Sequence, residues 1–342
     1  MQTDKLKLLT KKKKELDSFR PLPAEQLKNL EEWFDIEYTY TSNAIEGSTL
    51  NRSETALVIE KGVTVRGKSL REHLEAVNHD KAIDFVRSLM KKGHQFINQD
   101  DIKDIHKIVL TSINDEWAGK YRLSDVFIRG ADVEPPQPRH VPFKMRDLIG
   151  WLELQQEEHP AKVAADLHFK LVAIHPFVDG NGRTARLLMN LVLMQSGYPL
   201  AIIKTGERDV YIDAINEATV TGDLTDFYNV IYGAVERSLD AYLSAVHGKS
   251  ILPFYIDKDA EESKKLLKIG DLAELAEVPI PTIRHYIKQR LIRPTTKTQG
   301  GFMLFVPQVA ERIKQIKQLQ KESKLSIKDI RKELTKIKKP EL

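Results

Sequence analysis

The sequence predicts a mainly α-helical protein with one short β-hairpin and a small second domain at its C-terminal end. Three observations lead to this fold class. Apolar residues recur at three- and four-residue spacing along most of the chain, which is typical of helices with one buried face. Residues 121–145 break that spacing. After residue 262, both the periodicity and the charge of the sequence change.

Seven stretches carry the helical spacing: residues 24–46, 69–92, 100–112, 144–157, 161–174, 183–196 and 224–246. Boundary residues support these predictions. Asn98 can accept hydrogen bonds from the first turn of the helix that follows it. Gly197 can end the helix that begins at Arg183, because glycine readily adopts the left-handed conformation of a helix C-terminus.

The segment over residues 121–145 alternates Val126 and Ile128 with polar neighbours, turns at RGAD and then passes through PPQP. This alternation predicts a short β-hairpin, and the prolines predict that its second arm is an exposed edge strand. An exposed edge can pair with the backbone of another chain. The hairpin is therefore either an ordinary surface element or a site where a peptide docks.

Charge is distributed unevenly along the 342 residues, which are enough for two or three domains. Residues 263–342 hold 19 Lys and Arg against 8 Asp and Glu, whereas residues 1–262 hold 34 against 41. A basic module often binds nucleic acid, although basic surfaces also promote solubility. The chain has no cysteine, which excludes disulfides and thiolate chemistry. No apolar run approaches the roughly 20 residues of a membrane span, so we expect a cytoplasmic protein without membrane contact.

The stretch HPFVDGNGRTAR, residues 175–186, combines groups that suit phosphate chemistry. His175 follows an apolar helix, which Pro176 prevents from continuing. Gly180 and Gly182 allow unusual backbone angles and leave amide groups unshielded in front of the next helix. A glycine-rich turn at a helix N-terminus is a favourable site for anions, and above all for phosphates.

The charged side chains of this stretch predict a magnesium nucleotide as the ligand. Arg183 and Arg186 are three residues apart on one helix face and can bind a di- or triphosphate together. Asp179 would repel the same phosphates unless a divalent cation lies between them, and Mg²⁺ is often held by one carboxylate and substrate phosphates. His175 titrates near neutral pH and can accept a proton from a nucleophile.

HPFVDGNGRTAR resembles the signature of the Fic family, H-x-F-x-[DE]-G-N-G-R-x-x-R, at every fixed position. The resemblance extends over about residues 35–245 and implies an all-helical Fic fold. It also implies a nucleotidyltransferase that moves AMP from ATP to a Ser, Thr or Tyr hydroxyl of a target protein. The stretches GKYRLSDVFIRG and VEPPQPRHVP, residues 119–130 and 133–142, resemble the family's target-docking flap, and residues 121–145 are termed the flap segment here. The flap residues expected to contact the target are Val126, Phe127, Ile128, Arg129, His140 and Val141.

The resemblance assigns a role to each residue of the signature. His175 would deprotonate the target hydroxyl, Asp179 would hold Mg²⁺ on the α- and β-phosphates, and Phe177 would anchor the loop in the core. The residues expected to bind the nucleotide are Gly180, Asn181, Gly182, Arg183, Arg186 and Tyr211.

The stretch TSNAIEGSTL, residues 41–50, has two interpretations. By itself it is the end of an amphipathic helix, with Ser42 and Glu46 on one face and Gly47 as its C-terminal cap. It also resembles the family's inhibitory motif, [ST]-x-x-x-E-[GN]. That resemblance implies that Glu46 pairs with Arg186 and keeps the γ-phosphate from its productive position. In some relatives this glutamate also orients a water that removes AMP.

Beyond residue 262 the sequence predicts two short helices, at about 269–276 and 280–289, then a basic hairpin and an amphipathic helix. This order resembles the winged helix-turn-helix of MerR-type regulators, which implies that the second helix enters the major groove of DNA. Such folds also mediate protein contacts. The basic C-terminal tail can pair two chains into a homodimer or form a solvated face. The candidate contacts to double-stranded DNA are Arg284, His285, Tyr286, Lys288 and Lys297.

The sequence thus predicts four segments: an N-terminal helical region with the inhibitory motif, a catalytic core, a linker and a MerR-like domain. They span residues 1–98 (motif at 42–47), 99–247, 248–262 and 263–342. The predicted function is protein adenylylation with ATP as co-substrate and Mg²⁺ as cofactor, inhibited by Glu46. Two alternatives stay open: a DNA-binding regulator whose Fic domain senses nucleotide, and a hydrolase that removes AMP with the help of Glu46.

Overall fold

The computed structural model describes residues 2–22, 24–126, 134–255, 267–289, 291–292, 294, 296–297, 303–305 and 308–323. The chain divides into two compact units, residues 1–255 and 256–342. Among the described residues, no helix is long and apolar enough to cross a lipid bilayer.

The described part of the first unit is helical. Its α-helices are α1 (Gln2–Asp17), α2 (Ala24–Ile45), α3 (Arg52–Lys61), α4 (Leu70–Ser88), α5 (Gln99–Leu110), α6 (Val141–Glu153), α7 (Pro160–Ile174), α8 (Asn181–Gln195), α9 (Arg208–Thr221), α10 (Thr225–Val246) and α11 (Leu252–Tyr255). Short 3₁₀ helices cover Leu89–Lys91, His94–Phe96, Pro138–His140 and Thr205–Glu207. All seven stretches with helical spacing are helices, so the mainly helical fold class is confirmed.

Helix α8 forms the centre of this unit. It packs along α7 and also contacts α2, α4 and α5, and 13 of its 15 residues are buried. Its N-terminal residues follow the glycine-rich turn predicted to bind phosphate. Because α8 is surrounded by other helices, this turn is anchored to the core rather than to a surface loop.

The predicted helix caps are present. Asn98 accepts hydrogen bonds from the amides of Asp100 and Asp101, and the Asp101 carboxylate accepts one from the amide of Asn98. Gly197, just beyond α8, has a φ of 78°, the left-handed conformation in which glycine is favoured. These caps end the helices where the sequence predicts, because they satisfy backbone groups that the helix itself leaves unpaired.

Three helices of this unit, α1, α3 and α9, were not predicted. Each buries only a few side chains, so the apolar spacing that reveals a helix is weak. α1 packs along α10 through Leu9 and Leu16, which are almost fully buried. Within the predicted linker, α11 places Tyr255 in the core beside Trp33 and Phe34.

The prediction that the second arm of the hairpin is a β-strand is wrong. The flap segment forms a 3₁₀ turn at Pro138–His140 and enters α6 at Val141, and its described residues contain no strand. The proline in the first turn of α6 is compatible with a helix start, because its missing N–H would have had no partner there. Residues 127–133 lie outside the described residues.

The second unit contains β1 (Leu267–Lys268), α12 (Ile269–Leu275), α13 (Ile280–Lys288), β2 (Thr296–Lys297), β3 (Met303–Phe305) and α14 (Gln308–Ser323). The strands form an antiparallel sheet in the order β1-β3-β2, with Leu267 opposite Phe305 and Lys297 opposite Met303. A separate core, which includes Leu272, Ile283 and Phe305, joins the helices to the sheet. The predicted helix–turn–helix and hairpin are therefore both present.

Candidate active site

His175 lies directly after α7, at its C-terminal cap. Its φ of 49° and ψ of 59° place it in the left-handed region, which is uncommon for a residue other than glycine. Two contacts with Arg122 hold this conformation: the Arg122 amide donates to Pro176 O (2.9 Å) and Arg122 Nε donates to His175 O (2.8 Å). Burial, followed by the positive charge of Arg122, lowers the pKa of His175 to about 4. The imidazole is therefore neutral at pH 7 and can accept a proton.

Phe177 and Asn181 fix the turn that follows His175. The side-chain amide of Asn181 pairs with both backbone groups of Phe177, accepting from its N–H (3.0 Å) and donating to its C=O (2.9 Å). Phe177 is fully buried, as predicted for a core anchor. Asn181 is predicted to bind phosphate, but in this structure its side chain closes the turn instead.

His106, on α5, is a site residue that the sequence analysis missed. Its ring stacks on Phe177 with centroids 3.6 Å apart, and it lies against Gly180. The Gly119 amide donates to His106 Nδ1 (3.0 Å), so Nε2 carries the proton and donates to Asp179 O (2.9 Å). Burial lowers the pKa of His106 to about 4, which keeps this tautomer uncharged. The only sequence signal was a histidine on the apolar face of α5.

Two residues of α4, Arg71 and Glu75, contact the charged side chains of the signature at its solvent-facing end. Arg71 Nη2 is 2.5 Å from Asp179 Oδ2, and Arg183 Nη1 is 3.1 Å from Glu75 Oε1. Burial raises the pKa of Asp179, but Arg183, the Gly180 amide and Arg71 outweigh it and lower that pKa. We name this set of four charged residues the entrance contact. Neither Arg71 nor Glu75 was predicted as a site residue from the sequence.

Arg186 makes the second set of contacts, which we name the inhibitory contact. Its side chain is 2% exposed, and it donates to Ser42 Oγ (3.0 Å), Ser42 O (2.9 Å) and Glu46 Oε1 (2.8 Å). The Glu46 carboxylate also covers Gly182, because a Cβ at that glycine would collide with Glu46 Oε1. Gly47 follows with a φ of 104°, which favours glycine and turns the chain away.

Tyr211 is buried behind Arg186. Its hydroxyl is 3.4 Å from Arg186 Nη1 and 2.8 Å from His168 Nε2. Tyr211, which is predicted to contact the nucleotide, thus lies beside Arg186, and its hydroxyl orients the Arg186 guanidinium.

A cavity of about 280 Å³ opens in front of α8. It is lined by Glu46, Gly47, Ser48, Arg71, Glu72, Glu75, Asp179 and Arg183. Among the described residues, no three His, Asp or Glu side chains converge on one metal position. A single carboxylate facing such a cavity fits Mg²⁺, which commonly takes one or two protein carboxylates and completes its shell with waters and phosphate oxygens.

The predicted flap residues that the structure describes differ in their exposure. Val126 is half-buried and His140 is exposed. Val141 is fully buried in the first turn of α6, so its prediction as a target contact is wrong. Phe127, Ile128 and Arg129 lie outside the described residues.

The candidate DNA contacts separate by burial. Arg284, His285 and Lys288 are exposed on α13. Tyr286 is 3% exposed within the core of the second unit, so the prediction that it faces DNA is wrong. It lies three residues after Ile283 and therefore on the same, buried helix face. The side chain of Lys297 lies outside the described residues.

Comparison with known proteins matches residues 96–193 to the Fic/Doc family and residues 267–337 to the MerR helix-turn-helix family of regulatory proteins. A protein adenylyltransferase Fic from Nematostella vectensis is 41% identical over 212 residues, which are 61% of this chain and 49% of that relative. The chain spans about half the length of the curated relatives that it matches.

Two solved structures share the fold. Fic-1 from C. elegans is similar with a TM-score of 0.67 at 32% identity, covering 72% of this chain and 73% of that chain. A Fic-domain signaling protein from Bacteroides thetaiotaomicron is similar with a TM-score of 0.65 at 29% identity, covering 72% of this chain and 98% of that chain. With the complete signature on the turn before α8 and this likeness in sequence and fold, the chain belongs to the Fic family.

Proposed function

We propose that this protein transfers AMP from ATP to a Ser, Thr or Tyr hydroxyl of a protein target and that Glu46 keeps the activity low. The observation that carries the proposal is the inhibitory contact: the buried guanidinium of Arg186 is bound by Ser42 and Glu46 directly behind the turn that bears His175. The name protein adenylyltransferase, borne by the relative that is 41% identical, supports the same reaction.

In this reaction His175 acts as the general base. The neutral imidazole accepts the proton of the target hydroxyl while the hydroxyl oxygen bonds to the α-phosphorus of ATP. The bond from that phosphorus to the bridging oxygen breaks, and pyrophosphate leaves with the bond electrons. His106 and Asn181 hold the turn in place, so the reacting groups need little rearrangement.

The groups at the start of α8 bind the phosphates. The amides around Gly182 lie at the positive end of α8, and Arg183 and Arg186 supply charge for the β- and γ-phosphates. Asp179 would hold Mg²⁺, which when bound neutralises phosphate charge in the transition state. In this structure Arg71 pairs with Asp179, and Glu75 pairs with Arg183. Binding of the nucleotide therefore replaces the entrance contact.

Glu46 opposes this arrangement in two ways. Its carboxylate pairs with Arg186, which removes a phosphate ligand, and it covers Gly182, where a phosphate would approach the α8 amides. Both effects are electrostatic and steric consequences of one carboxylate. Removing that carboxylate should therefore release the enzyme without altering the turn.

The test is AMP incorporation from labelled ATP with Mg²⁺ into the protein itself and into a cell lysate, read by mass spectrometry. The Glu46→Gly variant should incorporate AMP at least about tenfold faster than the wild type, which corresponds to about 1.4 kcal/mol of transition-state stabilisation. Adding His175→Ala should abolish the reaction. Glu60→Gly, at an exposed glutamate of α3, is the matched control. An unchanged rate in Glu46→Gly would contradict the proposal.

The same assay distinguishes the hydrolase alternative. AMP-modified protein is incubated with the wild type and with Glu46→Gly. Release of AMP by the wild type alone would assign Glu46 to hydrolysis. Glu46 is available for that role, because only one of its oxygens is bound by Arg186 and its side chain is 39% exposed towards the cavity.

We expect the protein in the cytoplasm. For its second unit we propose binding to double-stranded DNA through the exposed side of α13. Arg284 and Lys288 lie on that side, and the match to MerR regulators over residues 267–337 supports this role. Arg284→Ala should weaken binding in a gel-shift assay at moderate salt, and added salt should weaken it further. Equal DNA binding by Arg284→Ala and the wild type would instead favour a protein partner for the exposed side of α13. The basic tail proposed to pair two chains into a homodimer spans residues 315–339, of which only the part up to Ser323, in α14, lies within the described residues.

A further inference from the structure

Arg122 connects stretches of the chain that are far apart in sequence. Its backbone amide donates to Pro176 O (2.9 Å), Nε donates to His175 O (2.8 Å) and Nη1 donates to Ser124 O (3.1 Å). Nη2 donates to Pro136 O. One residue therefore links the base of the proposed reaction to both described ends of the flap segment, residues 121–126 and 134–137.

The burial of this arginine is unusual. Its side chain is 1% exposed, and every acceptor named above is a backbone carbonyl. Burial lowers the pKa of Arg122, and the negative charge of Asp125 opposes that effect without cancelling it. Burying a guanidinium is costly unless its donors are satisfied. The planar fork satisfies them in fixed directions, which a more flexible ammonium group cannot reproduce.

We infer that Arg122 is a positioning residue that sets the location of His175 relative to the flap segment, and hence relative to a hydroxyl held there. The inference rests on the proposed function. His175 has left-handed backbone angles, so its carbonyl needs a partner outside α7. Arg122 supplies that partner through Nε and uses the two terminal nitrogens of the same guanidinium to hold Ser124 and Pro136.

This role differs from nucleotide binding. Arg122 has no contact with the side chains that hold phosphate in the proposed mechanism, which engage α2 and α4 instead. Its loss should therefore lower the rate of transfer and leave the affinity for ATP nearly unchanged. A misplacement of about 1 Å in reacting groups can lower a rate by about 100-fold.

The experiment uses the full chain with Glu46→Gly as the parent and compares Arg122→Lys, Arg122→Met and Arg146→Met. Arg146 is exposed on α6 and serves as the matched control. We expect kcat for AMP incorporation to fall by about 10- to 100-fold in both Arg122 variants, with KM for ATP within about twofold of the parent and no change in the control. Parental kcat in Arg122→Lys, or a rise in KM that accounts for the loss, would overturn the inference.

Hydrogen–deuterium exchange without nucleotide gives a readout that does not depend on activity. Peptides covering residues 119–126 and 171–178 should exchange faster in Arg122→Lys than in the parent, while peptides of α10 should not change. Unchanged exchange in the first two peptides would overturn the inference even if transfer is slow. If the parent transfers no AMP but exchange responds as expected, the proposed function fails while the placement of His175 by Arg122 stands.

Discussion

The inhibitory contact and the Arg71–Asp179 pair of the entrance contact lie at the same signature turn but differ in their access to water. In the inhibitory contact, the side chain of Arg186 is 2% exposed and donates two hydrogen bonds to Ser42 of α2 and one to Glu46, the residue after α2. In the entrance contact, the side chains of Arg71 and Asp179 are 56% and 42% exposed, whereas the other pair is largely buried. Both contacts come from the first 98 residues, and both occupy groups that a nucleotide would need.

This difference in exposure indicates which contact can act as a lock, meaning a contact that holds the enzyme in its inhibited state. Removing one partner of a buried ion pair costs about 3–5 kcal/mol, because the other charge is left without water. An exposed pair contributes about 0–1 kcal/mol, because water and salt replace it. The inhibitory contact therefore separates two distinct states, whereas the Arg71–Asp179 pair of the entrance contact exchanges readily with an incoming ligand.

The largest effect should come from truncating each signature arginine in turn. Arg186→Met leaves Ser42 and Tyr211 without their donor, so the free energy of unfolding should fall by about 3–5 kcal/mol. Arg183→Met should cost less than about 2 kcal/mol, because Glu75 keeps Arg71 as a cation. All three tryptophans lie in residues 1–255, so urea unfolding followed by tryptophan fluorescence reports on this unit. Equal losses in the two variants would remove the distinction between the contacts.

The pH dependence of transfer should reflect the burial of His175. Its pKa is lowered to about 4, so the unprotonated base predominates above that pH and is lost as the pH falls through 4. AMP incorporation by Glu46→Gly should therefore keep its rate from about pH 7 to pH 5 and then decline, rather than fall near the ordinary histidine pKa of about 6.5. A midpoint near 6.5 would show that the imidazole is better solvated than the structure indicates.

A smaller effect is expected behind the inhibitory contact. Tyr211→Phe removes the hydroxyl between Arg186 and His168, and the loss should be about 1–2 kcal/mol in the free energy of unfolding. Tyr232→Phe is the control, because its buried hydroxyl has no hydrogen-bond partner among the described residues. The same urea titration measures both variants. Equal stability of the two would mean that the hydroxyl of Tyr211 does not support the guanidinium.

The smallest effect is predicted for Arg71, the solvated arginine of the entrance contact. Arg71→Met should change the free energy of unfolding by less than about 1 kcal/mol, because the side chain is largely solvated. Raising the salt concentration should reduce even this difference. A loss as large as that of Arg186→Met would make the entrance contact a second lock.

Local sequence patterns predicted the helices whose apolar faces are wide, and they failed where local and tertiary preferences diverge. The prolines of PPQP favoured an edge strand, yet Pro138 begins a 3₁₀ turn that leads into α6, because the apolar spacing from Val141 to Leu152 lets that helix bury a face. Tyr286 was expected to face DNA, yet its helix face closes the core of the second unit. Both errors concern side chains whose direction depends on neighbouring elements.

The signature turn was predictable because its chemistry is local. Glycines, a proline and an asparagine within eight residues dictate a tight turn before a helix, whatever surrounds it. His106, Arg122 and Glu75 could not be found in this way. They lie 53 to 108 residues away along the chain from their partners in the signature and reach the turn only after α4, α5 and the flap segment pack around α8.

By itself, the sequence determined the helical class, the glycine-rich turn before α8 and the residues of both Fic motifs, since each depends on residue type at short spacing. Tertiary structure alone decided that Ser42 and Glu46 meet Arg186 across about 140 residues, and that Arg186 is buried while Arg71 of the entrance contact is not. The physical reason is that burial of a charge depends on which helices surround it. The strength of the proposed lock follows from that burial.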